Sequence, residues 1–188
     1  MPDPELAPRA PSRGLPALTL FLTTVVVGVL AGLLWARLTP LPGYTVQSDG
    51  GASTTERGLT GFIHADIVFA GLGLVLGIGL GIVGWRAFGR RLGWLSVPVT
   101  IVMALLAAVL CWQVGELIGP TDFDARLAAA TPGQTVPIDL ELRARTAIAA
   151  WVLGACAALM VLTALVRDPD DGEPLRLPWT VLDDRPDR

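Results

Sequence analysis

The sequence predicts an all-α integral membrane protein with four transmembrane helices, cytoplasmic N and C termini, and two extracytoplasmic loops. Two observations support this fold class. Hydrophobic residues make up 52% of the 188-residue chain and charged residues only 16%, whereas about 25% are charged in a typical soluble domain. The apolar residues also fall into four runs, each near the roughly 20 residues that a helix needs to cross the hydrocarbon core of a bilayer.

The chain begins with a polar lead, residues 1–14, which contains proline and two arginines and is predicted to be disordered in the cytoplasm. The first span covers about residues 15–38. It is too long for a signal peptide and has no small-x-small cleavage site before Pro40, so we expect an uncleaved helix. Gly28 and Gly32 give this helix a short small-residue face, which is a candidate match for the glycine groove of the second span.

The second span, about residues 66–86, is organised by three glycines. Gly73, Gly77 and Gly81 recur at every fourth position, so they lie along one side of a helix and form a groove without side chains. In lipid such a groove lets another helix approach closely. We therefore expect Gly77→Leu to overfill this contact and disrupt helix packing.

Arginines set the predicted orientation. Arg86, Arg90 and Arg91 lie in the short connection between the second span and the third, which covers about residues 94–117. Such a density of arginine beside two membrane ends places the connection in the cytoplasm. The fourth span, about residues 146–166, then returns the chain to the cytoplasm. The acidic, proline-rich tail, residues 167–188, is either disordered or a docking segment.

The two predicted extracytoplasmic loops carry weaker signals. The first has a turn at Asp49, Gly50 and Gly51 and could hold a small hairpin. The second contains DFDARLAAA, residues 122–130, which is consistent with a short surface helix. Loops of this length are either functional or mobile.

Polar and charged side chains collect where the spans meet these loops. Because ionisable groups near the bilayer are costly, they are expected to pair or to face water. We expect Asp66 and Glu116 to pair with Arg143, Arg145 or Arg37. Together these side chains form a predicted charged layer. It is either a structural set of salt bridges or a binding site for a lipid headgroup, a small anion or a partner loop. Its members are Arg37, His64, Asp66, Gln113, Glu116, Arg143 and Arg145.

Little in the sequence suggests catalysis. The chain has one histidine, no Ser/His/Asp arrangement and no metal-ligand cluster. Cys111 and Cys156 lie in apolar runs and are expected to be packing residues. We therefore expect no enzyme activity, no cofactor and no metal. The net charge of −3 also gives no nucleic-acid footprint.

Several short motifs resemble an uncharacterised family of small four-helix membrane proteins from actinobacteria. They are FIHADIVF at 62–69, the glycine-rich helix that ends at Trp85, WQVG at 112–115 with Gly119-Pro120, and LRAR at 142–145 followed by Trp151. The resemblance covers about residues 15–166. It implies an acidic residue at the position of Asp66 and the same architecture, and it adds no activity because the family has none assigned.

The function expected from the sequence is that of a non-catalytic accessory, scaffold or interaction subunit of the bacterial plasma membrane. It would pack through the glycine-rich second helix against a membrane-protein partner or a second copy of the chain. The alternatives are a small transporter or channel component, and a lipid-binding protein with a charged site at the outer leaflet. A further alternative is an enzyme that acts on a lipid at the outer leaflet, with Asp66 or Glu116 as general base. A continuous polar path through the membrane would favour a channel, and the only hydroxyls well inside the spans are Thr23, Thr24, Thr100 and Thr163.

Overall fold

The computed structural model describes residues 14–49, 51–53, 63–89 and 93–165. Most of the N-terminal lead, two arginines of the short connection (Arg90 and Arg91) and the C-terminal tail lie outside these residues. What the sequence predicts for those segments therefore stays a prediction.

The described residues contain five α-helices, of which four are long and apolar enough to cross a membrane. Four long apolar helices were predicted and are confirmed, and their ends differ from the predicted bounds by a few residues. The second long helix continues into a π-helical turn, Trp85–Gly89, and 3₁₀ turns precede the third and fourth. The helices are α1 (Gly14–Leu38), α2 (His64–Gly84), α3 (Ser96–Ile118), the short α4 (Phe123–Ala128) and α5 (Ala149–Leu165).

The four long helices form two closely packed pairs, α1 with α3 and α2 with α5. A Cβ added at Gly28 would lie 2.8 Å from Leu110 Cβ, and one at Gly32 would lie 2.8 Å from Val114 Cβ. Residue numbers rise together along both helices, so α1 and α3 run in the same direction. In α2 and α5, Gly73 and Gly77 face Trp151, and Gly81 faces Ala155 and Ala158, so this pair is also parallel.

The pairing corrects one prediction from the sequence. Gly28 and Gly32 do not meet the glycine groove of α2, because they lie against the backbone and side chains of α3. The groove of α2 is filled by α5, and its three glycines are buried. Each small-residue face is therefore used inside the chain, where it lets two helix backbones approach closely.

The two loops at one end of the bundle fold together into a cap (residues 39–49, 51–53 and 119–144). Its antiparallel sheet has the order β2-β1-β3. The pairing of the first two strands confirms the predicted hairpin, and α4 confirms the predicted surface helix. The third strand joins the second loop to the first, which an all-α fold class does not include. The strands are β1 (Gly43–Val46), β2 (Ala52–Ser53) and β3 (Thr135–Pro137).

The cap is anchored by an extended stretch that we call the plug segment (residues 135–144). Buried and more exposed side chains alternate along it up to residue 143, as expected for an extended chain with one face covered. Leu140 and Leu142 are each only 3% exposed and belong to the same core cluster as Trp35, Phe69 and Trp151. The cap therefore inserts side chains into the end of the bundle.

Candidate functional site

Three aromatic rings form the floor beneath the plug segment. The rings of Trp35 and Phe69 meet edge to face with centroids 5.3 Å apart, and Phe69 and Trp151 lie 6.1 Å apart. Such offset and edge-on arrangements are the favoured ones for aromatic pairs. Trp35 Nε1 also donates a hydrogen bond of 2.8 Å to the carbonyl oxygen of Ala65. This bond ties the end of α1 to the beginning of α2.

Above this floor, two carboxylates hold three consecutive main-chain amides, an arrangement that we call the amide clamp. Asp66 Oδ1 accepts a hydrogen bond of 3.1 Å from the Arg143 amide, and Asp66 Oδ2 accepts one of 3.2 Å from the Ala144 amide. Glu116 Oε1 accepts one of 3.2 Å from the Leu142 amide. The carboxylates come from α2 and α3, so the clamp joins two spans to the chain that leads into α5.

The amide clamp has a direct physical cause. Extended backbone has N–H groups that no helix satisfies, and nearly all such groups in proteins find a hydrogen-bond partner. Carboxylates are suitable acceptors because hydrogen bonds to charged groups are stronger than neutral ones. Asp66 also lies in the first turn of α2, where the helix dipole favours a negative charge.

The partners of these carboxylates differ from those expected from the sequence. Asp66 and Glu116 were expected to pair with arginine side chains. The structure shows hydrogen bonds to main-chain amides of the same LRAR stretch that carries Arg143 and Arg145. The sequence thus identified the contacting segment but did not predict these main-chain bonds. The guanidinium groups lie on exposed residues.

The other residues of the predicted charged layer occupy the same end of the bundle. Arg37 ends α1, His64 begins α2 and Gln113 lies in the last turns of α3, and all three are exposed. Arg145 lies with its guanidinium carbon 5.9 Å from the centre of the Trp112 ring, within reach of a cation–π interaction. Asp66 and Glu116 are the half-buried members of this set.

A second polar cluster, which the sequence did not reveal, fastens the cap to itself. Arg126 donates to the carbonyl oxygens of Thr121 and Pro137 at 2.7 and 2.8 Å, and its Nη2 lies 2.7 Å from Asp139 Oδ1. The other oxygen of Asp139 accepts the Phe123 amide at 3.3 Å. One arginine side chain thus connects the start of α4 to the plug segment.

A cavity of about 420 Å³, which we call the Trp112 cavity, opens between α3 and the plug segment. A second cavity of about 370 Å³ lies on the other side of Asp139 and Glu141, beside Tyr44 and Phe123. Both are wide open to their surroundings and do not enclose a ligand. The Trp112 cavity is lined by Trp112, Glu116, Pro120, Thr121, Asp139, Leu140, Glu141, Leu142 and Arg145.

Known proteins give no further information about this site. Comparison with protein-family models, with curated proteins and with solved structures found no match. The resemblance to an actinobacterial membrane-protein family therefore stays a prediction from short motifs.

Proposed function

We propose that this chain is a non-catalytic accessory subunit of the bacterial plasma membrane that binds its partner through the cap end of the bundle. The observation that carries the proposal is the plug segment. Leu140 and Leu142 lie in the bundle core, and the amide clamp fixes the backbone beside them. A cap held so firmly presents a fixed surface, which favours recognition because less conformational freedom is lost on binding.

The proposal moves the contact surface away from the glycine groove. In the sequence analysis that groove was the expected contact with a partner, but α5 now fills it. A partner could use it only by displacing α5. The exposed polar residues of the cap end are the remaining candidates for a specific contact.

The proposed orientation places the cap outside the cytoplasm. Arg86 lies in the π-helical turn at the opposite end of α2, and Arg90 and Arg91 follow it in the sequence. Short loops rich in arginine stay in the cytoplasm. Both termini then lie in the cytoplasm, as predicted from the sequence.

Transport is the weaker alternative. The hydroxyl groups of Thr24, Thr100 and Thr163 each donate to a carbonyl oxygen four residues earlier in their own helix. These hydroxyls are satisfied locally, so they do not offer a polar path between helices. Liposome flux that is lost in Asp66→Asn would favour transport instead.

Affinity purification of the full chain from native membranes in a mild detergent tests the proposal. The cap variant Asp124→Arg/Ala128→Arg changes two exposed positions of α4, and Val75→Leu changes a position of α2 that is 67% exposed. We expect a protein that co-purifies with the wild type and with Val75→Leu and is lost with the cap variant. A chain that purifies alone, or a partner retained by the cap variant, would contradict the proposal.

A further inference from the structure

The Trp112 cavity contains charges of both signs. Asp139 is already engaged, because one oxygen pairs with Arg126 and the other accepts the Phe123 amide. Glu116 uses Oε1 for the Leu142 amide, and Oε2 has no hydrogen bond within the part of the chain that the structure describes. Glu141 is exposed at the wall of the cavity. The cavity thus offers carboxylate oxygens as acceptors for a cationic donor.

Arg145 provides the opposite charge in the same cavity. Its guanidinium lies over the Trp112 ring at 5.9 Å, within reach of a weak cation–π contact. Guanidinium groups bind phosphate oxygens through two parallel hydrogen bonds. A phosphate beside Arg145 and an ammonium beside Glu141 and Glu116 would each meet a group of opposite charge.

The cavity also lies beside a surface suited to acyl chains. It opens in the last turns of α3, a helix apolar enough to span a membrane. On the same face of that helix as Trp112 and Glu116, nearer its middle, Val109 is 41% exposed and Leu105 is 40% exposed. A ligand with a polar head in the cavity could therefore place hydrocarbon against the adjacent helix surface.

We propose that the Trp112 cavity binds the headgroup of a zwitterionic phospholipid that carries a primary ammonium group, with its phosphate at Arg145 and its ammonium at Glu141 and Glu116. The proposal rests on the proposed function only in taking the cap end to lie at the membrane surface. An anionic headgroup fits less well, because two carboxylates would repel it. A trimethylated ammonium also fits less well, because it has no N–H to donate.

Native mass spectrometry of the full chain in detergent, with lipids of matched acyl chains, tests this site. We expect phosphatidylethanolamine to be retained about tenfold more than phosphatidylglycerol or phosphatidylcholine, since a charge-assisted hydrogen bond is worth about that factor. Glu141→Gln should reduce this preference about tenfold, because it removes a charged partner of the ammonium. Arg145→Gln should instead weaken retention of all three lipids about tenfold, because each of them carries a phosphate. Arg37→Gln is the matched control, because Arg37 is exposed at the same end of the bundle and does not line the cavity.

Three outcomes would overturn the proposal. The first is equal or stronger retention of phosphatidylglycerol or phosphatidylcholine. The second is an unchanged preference in Glu141→Gln, unchanged retention of all three lipids in Arg145→Gln, or the same losses in Arg37→Gln. The third is equal binding of soluble phosphoethanolamine, which would show that the acyl chains contribute nothing. The protein partner sought in the affinity purification is a separate readout, so the failure of one proposal is distinguishable from the failure of the other.

Discussion

Asp66 is the residue that connects most parts of this molecule. It begins a glycine-rich span, and its two carboxylate oxygens accept amides that precede α5. Its position two turns before Gly73 places it on the side of α2 that faces α5. The same face of one helix therefore provides both the close helix contact and the polar attachment of the plug segment.

Replacement of Asp66 by asparagine should weaken the amide clamp. One carbonyl oxygen would remain to serve two amides, and a hydrogen bond contributes a net of about 0.5–1.5 kcal/mol. We expect amide hydrogen exchange at Arg143 and Ala144 to accelerate about tenfold, which corresponds to about 1.4 kcal/mol. His64→Gln, at an exposed position in the same turn, should leave exchange there unchanged. Unaltered exchange in Asp66→Asn would contradict the clamp.

The contacting residues of the clamp were partly predictable. An acidic residue at the head of an apolar helix requires a partner, and that requirement led from Asp66 to the LRAR stretch. The contacting group was not predictable, because it depends on the plug segment being extended. The LRAR stretch carries the same arginines whether it is helical or extended. In the extended form its main-chain amides lack the acceptors that a helix interior provides, so they need other acceptors.

At the scale of elements, the glycines of α2 fall into two sets. Gly77 faces the carbonyl group of Trp151, whereas Gly79 has nothing within 4 Å of an added Cβ. The two positions have the same sequence neighbourhood and opposite surroundings. They therefore separate the effect of helix packing from that of helix propensity.

Gly77→Ala should destabilise the bundle, because a methyl group would overlap the α5 backbone and force the two helices apart. Overpacking of this kind costs about 1–3 kcal/mol. Gly79→Ala should change the stability by less than about 1 kcal/mol, since it alters only the helix propensity. The measurement is the free energy of unfolding by SDS in mixed micelles. Equal effects of the two substitutions would show that the α2–α5 contact is absent.

The elements differ in how far the sequence determines them. Periodicity identified the glycine face of α2, because the face depends only on the spacing of residues in one helix. It could not identify α5 as the partner, because the choice among three other spans depends on the whole bundle. The plug segment had a readable signal in the alternation of Ile138, Asp139, Leu140, Glu141 and Leu142. The pairing of β3 with β1 joins residues that are far apart in the sequence. Neither loop carries a local sequence pattern that predicts it.

For the whole molecule, the central claim is that two loops separated by two spans form one cap. β1 lies before α2 and β3 lies after α3, so their pairing requires both loops to lie at the same end of the bundle. The buried leucines and the amide clamp then make the cap and the bundle one folded unit. Both proposed contacts, with a protein at the cap and with a lipid at the Trp112 cavity, depend on this arrangement.

A disulfide trap between the loops tests that claim most directly. Thr45 and Thr135 are paired across β1 and β3, and their Oγ1 atoms lie 3.0 Å apart, a separation compatible with a disulfide between cysteines at these positions. In a chain that also carries Cys111→Ala and Cys156→Ala, we expect Thr45→Cys/Thr135→Cys to cross-link in native membranes and to show a gel mobility shift that reductant reverses. Single-cysteine variants are the controls. Two thiols that do not cross-link under oxidant, and that react with impermeant maleimide from opposite sides of the membrane, would contradict the account.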